Sequence, residues 1–178
     1  MVAGTVGAMR RISGSAALLA ASAVLALVLV PSIPAVRRAL AGVDTGTVVR
    51  ALDGDTIDVR LGARVQRVRL IGVDTPETHD PRRPVGCFGP EAAAFTAAVL
   101  TGARVTLEDD VERTDPYGRR LAYVHLGSTR FNDVLLRRGY ARLLVIAPNG
   151  SHAREMLAEE MAARRARRGL WGACPDAT

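Results

Sequence analysis

The chain has no lysine, so its 24 basic residues are all arginine. A compositional bias of the genome accounts for that without a functional reason. Aromatic residues are scarce, at 4% of 178 positions, and there are only three histidines and two cysteines. The histidines are scattered and the cysteines far apart, which excludes a zinc site of the usual close ligand spacing. Internal repeats and low-complexity segments are absent as well. A chain of this length has room for one ordinary domain plus an appendage.

The appendage is at the front. No charged residue lies between Arg11 and Arg37, and Ala16 to Val30 is apolar apart from Ser22. Residues 1–41 therefore read as a signal peptide or a membrane anchor, forming a hydrophobic helix ahead of the domain at 42–178. Ala39-Leu40-Ala41 fits the small-x-small pattern of a cleavage site, but it lies well past Val30, with Arg37 and Arg38 intervening. Ile12 to Val36 is long enough to span a bilayer. Of the two readings the retained anchor is preferred, with the domain outside the cytoplasm; cleavage would make the protein secreted. The formal charge of +6 comes mostly from this leader. Beyond it stand 20 arginines against 18 acids, a balance of only +2, so general basicity does not argue for a nucleic-acid partner. Both cysteines, Cys87 and Cys174, are in the exported part. An oxidising compartment would let them pair; two unpaired buried thiols are the alternative in the cytoplasm.

After a turn-prone linker at Asp44 to Gly46, three strands follow in a meander. They are Thr47 to Leu52, Thr56 to Arg60 after the Asp53-Gly54 hairpin signal, and Arg64 to Ile71 with Val65 among its half-buried positions. A long loop runs from Asp74 to Gly89. Pro90 then suits the first position of a helix over Glu91 to Leu100, which Gly102 ends. Strands are expected at Ala103 to Glu108 and Leu121 to His125, separated by a strong turn at Thr114 to Gly118. A second helix covers Phe131 to Arg138 with Gly139 as its cap. Tyr140 to Ile146 is extended. A third helix spans Ser151 to Arg168, with Met156, Leu157 and Met161 on one face. The arginines crowding its last turn suit the helix dipole as a solvated end. The fold class is α+β and mainly β: a five-stranded OB-fold barrel with three helices, a class that often binds single-stranded nucleic acid.

Charged residues gather where the third strand ends. Arg69-Leu-Ile-Gly-Val-Asp74-Thr-Pro-Glu77 places an arginine on the strand and two carboxylates just past it. Pro76 cannot join a ladder and holds Thr75 extended. Carboxylates can hold a hard cation and orient water, and a guanidinium can neutralise a phosphate. Taken singly, Asp53-Gly54-Asp55 is an ordinary hairpin turn, Arg69 a solvent-facing strand position and Arg119 a surface residue after a turn. His79, His125 and His152 read as loop or packing residues.

Taken in order, D-G-D-T, then R-L-I-G-V-D-T-P-E-T, then G-P-E-A-A-A-F-T, then R-T-D-P-Y-G-R-R-L-A-Y resemble the thermonucleases, the staphylococcal nuclease-like family. The resemblance covers Thr47 to Trp171. It implies a calcium-dependent phosphodiesterase acting on DNA and RNA and leaving 3′-phosphate ends. Asp55 and Asp74 match the family's calcium carboxylates, and the Thr75 carbonyl matches a third ligand for Ca²⁺. Glu77 matches the general base. Arg69 and Arg119 match the arginines that hold the scissile phosphate, and Tyr117 matches a tyrosine that hydrogen-bonds a terminal phosphate. A Cys87–Cys174 bridge, found in some exported relatives, would pin the tail to the loop before the first helix. Leu144 and Ile146 stand where family members stack a base on tyrosines, leaving Tyr140 as the aromatic nearby. Pro116 replaces a basic residue, and the Arg82-Arg83 loop is either a local basic patch or simply exposed. A monomer is the expected state. The competing reading is a non-catalytic OB-fold module binding single-stranded nucleic acid or protein, which would expect losses among the five charged residues. A membrane-tethered structural domain leaves that constellation unexplained.

Overall fold

The computed structural model describes residues 43–78 and 84–175. The leader, the stretch holding His79, Arg82 and Arg83, and the last three residues lie outside them, so the anchor-or-signal reading and the Arg82-Arg83 patch are not addressed. No described helix is long and apolar enough to cross a membrane.

Eight strands and three helices plus a final turn are present among the described residues. In order they are β1 (Val43–Ala51), β2 (Thr56–Leu61), β3 (Arg64–Leu70), β4 (Gly72–Asp74), α1 (Gly89–Leu100) and β5 (Arg104–Glu108). Then come β6 (Arg120–Leu126), β7 (Thr129–Arg130), α2 (Phe131–Arg138), β8 (Arg142–Leu144), α3 (Ala153–Arg165) and the one-turn α4 (Leu170–Ala173). Strands β3-β2-β1-β5-β6 pair in that order, and β6 closes on β3. The closing pair is parallel, with Val68 opposite Arg120, Arg69 opposite Leu121 and Leu70 opposite Ala122. This is the expected five-stranded closed barrel. Strands β4 and β8 form a separate two-stranded sheet that sets Asp74 opposite Arg142.

Alternation along the strands fills the barrel. Ile57 and Val59 from β2, Val68 and Leu70 from β3, Val105 and Leu107 from β5, and Ala122 and Val124 from β6 are buried, and Leu100, Leu135 and Met156 of the three helices pack against them. Asn132, fully buried on α2, joins helix to barrel: its side chain donates to Ile71 O at 2.8 Å and accepts from Val124 N at 2.9 Å.

Three expectations are corrected. β1 begins at Val43, not Thr47, because Asp44 to Gly46 pair with β5 across Leu107 to Val105. Glycine suits this strand because it crosses β2 closely: a β-carbon on Gly46 would come 2.6 Å from Arg60 O. Val65 is exposed and does not share the buried face of its strand, since burial in β3 starts only at its barrel end, Val68 and Leu70. The helix expected to reach Arg168, α3, stops at Arg165, and its buried face is Met156, Glu160 and Ala163, leaving Leu157 and Met161 exposed.

Candidate active site

The turn between β1 and β2 carries Asp53, Gly54 and Asp55, and two threonines wedge it in place. Thr96 of α1 donates from Oγ1 to Gly54 O at 2.7 Å. Thr75 packs so closely that a β-carbon on Gly54 would lie 2.6 Å from Thr75 Cγ2. The buried Asp55 carboxylate accepts from Thr75 N at 2.9 Å and Thr75 Oγ1 at 3.0 Å through one oxygen, and from Thr56 Oγ1 at 3.0 Å through the other.

Arg69 is not the solvent-facing strand residue its alternation suggests, because its side chain is only 15% exposed. Nη1 donates to Val73 O at 2.6 Å and Leu70 O at 3.1 Å, and lies 3.2 Å from Asp55 Oδ2. Nη2 reaches Asp74 Oδ1 at 3.2 Å. One guanidinium thus links Asp55, Asp74 and the turn between β3 and β4. Asp74 itself is half exposed. Partial burial raises its pKa, and Asp55 and Glu77 push the same way while Arg69 and Arg142 oppose them.

Glu77 is exposed, with Oε1 accepting from Thr78 N at 3.0 Å. Asp53, absent from the sequence-based site, faces it. Burial raises the Asp53 pKa, the Gly54 amide counteracts this, and hydrogen bonding to Glu77 together with the Asp55 charge raises it further. Asp53 also accepts from Thr78 Oγ1 at 3.1 Å. Asp55 and Glu77 therefore act on both Asp53 and Asp74. Asp53 lies inside the D-G-D-T motif, but its partner is 24 positions on, at Glu77, and only the folded loop reveals the pairing.

Arg119 approaches from the other side. Its Nε donates to Asp115 Oδ2 at 2.6 Å, and its amide to Asp115 Oδ1 at 2.9 Å. Burial alone would raise the Asp115 pKa, but these bonds and the Arg119 charge outweigh it and hold it below the usual range. Tyr117 is 83% exposed, its ring 5.4 Å from the Arg119 guanidinium. The adjacent Arg120 turns inward and pairs with Asp109 and Asp44. Strand alternation at the start of β6 separates these two arginines into different roles.

A cavity of about 320 Å³ brings the halves together. Arg69, Arg119, Tyr117, Leu144, Ile146 and Asn149 are among its lining residues. The parallel β3–β6 closure is what sets the two arginine-bearing segments side by side. Leu144 and Ile146 are both partly exposed, so this wall is aliphatic. Asp55, Asp74 and Thr75 join the cavity through Arg69 rather than lining it. In the structure Cys87 and Cys174 are bonded, with Cα atoms 6.0 Å apart, tying the C-terminal turn to the segment before α1.

The groups near Asp55 that could ligate a cation are carboxylate, hydroxyl and carbonyl oxygens, which suits a hard cation, with the Arg69 guanidinium beside them 3.2 Å from Asp55 Oδ2. Among the described residues no three His, Cys, Asp or Glu side chains converge to hold a metal unaided. A cation there would need main-chain and water oxygens besides the carboxylates, which is ordinary for calcium and magnesium. Burial is the main cause of the raised Asp53 and Asp74 pKa values, and the repulsion from neighbouring carboxylates that adds to it is what such a charge would relieve.

The family model described as Staphylococcal nuclease homologue matches residues 67–173. The chain is 42% identical over 127 residues to a thermonuclease of Staphylococcus hyicus, covering 71% of this chain and 75% of that protein. It is 50% identical over 105 residues to a thermonuclease of Staphylococcus intermedius, covering 59% and 62%. To endonuclease YncB of Bacillus subtilis (strain 168) it is 35% identical over 127 residues, covering 70% and 60%.

Proposed function

The chain belongs to the staphylococcal nuclease homologue family, and from that membership we propose that it is a nuclease, hydrolysing phosphodiester bonds of DNA and RNA with calcium and leaving 3′-phosphate ends. The observation that carries this reading is the single guanidinium, Arg69, shared between the carboxylates Asp55 and Asp74 and a cavity it lines with Arg119.

Arg69 and Arg119 hold non-bridging oxygens of the scissile phosphate and offset the charge that grows as water adds to phosphorus. Their own partners keep them aimed: Val73 O and Leu70 O for Arg69, Asp115 for Arg119. Glu77, exposed at the loop, takes the proton of the attacking water. The bond to the 5′ oxygen breaks, and that oxygen takes a proton from solvent. Tyr117 donates to a terminal phosphate. Asp55, Asp74 and the Thr75 carbonyl would hold calcium, which supplies Lewis-acid polarisation of the same phosphate. Leu144 and Ile146 replace a stacking surface with an apolar wall, which favours weak base preference over strong.

Export fits the Cys87–Cys174 bond, which an oxidising compartment maintains. The leader at 1–41 would serve either as a retained anchor or as a cleaved signal, with the domain at 42–178 outside the cytoplasm.

The test is cleavage of single-stranded DNA by the purified full-length chain in calcium, then in excess chelator, then with calcium restored. Loss and recovery of cleavage are expected. Binding without cleavage in calcium would overturn the nuclease reading in favour of a non-catalytic OB-fold module.

A further inference from the structure

Arginines at the ends of α2 and α3 take no part in the site described above. Arg137 and Arg138 close α2, while Arg164 and Arg165 close α3, with Arg167 and Arg168 just beyond. The groups are far apart in sequence, and two glycines bring them together. Leu170 N donates to Gly139 O at 2.9 Å, and a β-carbon on Gly139 would come 2.1 Å from Arg168 O. Arg168 Nη1 also donates to Arg137 O at 3.2 Å. A shallow cleft there is lined by Phe88, Tyr140, Arg137, Arg138 and Arg168.

The acids nearby are already engaged. Glu159 pairs with Arg137 at 3.1 Å, and the buried Glu160 accepts from Arg164 and from Leu143 N, both at 3.2 Å. Arg138, Arg165, Arg167 and Arg168 are exposed, and among the described residues none of them has a carboxylate partner.

Helix dipoles account for arginines in the last turns. They do not account for Arg167. Arg167 N donates to Arg164 O and Arg168 N to Ala163 O, a Schellman ending in which Arg167 takes the left-handed position with φ of 50°. Glycine is the ordinary residue there, and a β-carbon costs stability. The chain keeps a positive charge at this point against its own backbone preference.

The surface is also continuous with the site. Arg142 stands opposite Asp74 in the β4–β8 pair, and its guanidinium lies 5.5 Å from the Trp171 ring. Arg164 lies 4.1 Å from the same ring. A row of guanidiniums therefore leads from the carboxylates to the ends of α2 and α3.

Resting on the nuclease reading, we propose that this surface binds the phosphate backbone of the substrate strand beyond the scissile bond. Guanidiniums fixed on helix ends neutralise phosphates without reading bases, so the surface strengthens the hold on long strands of any sequence. An anionic membrane would also attract the charges, but continuity with Asp74 and Arg142 favours the strand.

The test uses the full-length protein in excess chelator, with labelled single strands of about 3 and about 30 nucleotides titrated against salt. The triple variant R138Q/R165Q/R168Q is expected to bind the long strand about tenfold or more weakly. Its log–log salt slope should fall by about 2, at about 0.7 for each phosphate that an arginine no longer neutralises. Binding of the short strand, and its cleavage in calcium, should not change. R167G should melt at a higher temperature than the natural chain and still bind the long strand more weakly, a loss that misfolding cannot explain.

Unchanged affinity and slope for the long strand in both variants would overturn the proposal. So would an equal loss for the short strand, or a loss confined to phosphatidylglycerol vesicles, which would assign the surface to a membrane. A natural chain that binds the long strand with this arginine-dependent slope but cuts nothing in calcium would overturn the nuclease reading and support the surface. Cleavage with an unaffected slope would do the reverse.

Discussion

The guanidinium of Arg69 touches two main-chain carbonyls and two carboxylates, so its position is set before any substrate arrives. Glu77 differs: it is exposed and its backbone lies in a loop, so its side chain contributes little to packing. Glu77→Gln is therefore expected to lower kcat by about 10²- to 10⁴-fold, the range typical of a lost general base, with the melting temperature unchanged. Steady-state cleavage at saturating substrate alongside a thermal melt checks this; full turnover in the variant would remove Glu77 from the mechanism. Asp53 is legible in the sequence as a residue of the D-G-D-T turn but not as the neighbour of Glu77. That pairing depends on how the 75–78 segment folds back over the turn, with Thr78 Oγ1 donating to Asp53.

Among the elements, α2 shows how a helix can hold a barrel strand and a site loop together. Its Asn132 side chain satisfies Ile71 O, just after β3, and Val124 N, within β6, in a fully buried setting. Asn132→Ala would leave a buried carbonyl and a buried amide unpaired, at about 1–3 kcal/mol each. A loss of about 2–6 kcal/mol in urea denaturation is expected. Because Ile71 leads into the β4 segment that carries Asp74, kcat/KM should also fall in the folded variant; unchanged stability would show that water replaces both bonds. The helices are readable from Pro90, Gly139 and their apolar spacing. The start of β1 is not, because Asp44 to Gly46 has turn composition and becomes strand only through its ladder with β5.

For the whole molecule, two covalent and ionic features set the conditions of stability. The Cys87–Cys174 bond spans a sequence separation of 87 residues. On the chain-entropy account, opening a loop of that size costs up to about 4–5 kcal/mol. Reducing agent should lower the melting temperature by several degrees or more; an unchanged melt, with two thiols titratable before any reductant is added, would show that the two cysteines stay unbonded in solution.

Acid acts through the carboxylates. Asp58, Asp110 and Asp115 have folded pKa values below the ordinary 3.8: burial opposes this, but arginines hold Asp58 and Asp115, and Ser151 and Tyr123 hold Asp110. A depressed pKa gives stability that is fully present above the unfolded value and is lost as pH falls toward the folded one. Asp53 and Asp74 are raised and act with the opposite sign, gaining protons first on acidification. Urea titrations from about pH 7 to about pH 3 should show little loss until about pH 4 and a steep decline below it. A decline already complete at about pH 5 would contradict these assignments.

The linear motifs determined the turn residues, the strand periods and the chemical types gathered at Asp55, Arg69, Asp74, Glu77 and Arg119, because turn chemistry and alternation act over a few neighbours. Tertiary structure alone decided that Arg69 is partly buried against two carboxylates, that it shares a cavity with Arg119, and that the ends of α2 and α3 form one arginine surface. Each of these depends on the meeting of distant segments: the parallel closure of β3 on β6, and the approach of Gly139 to Gly169. Such meetings follow from burying a common core, and no local stretch of sequence encodes them.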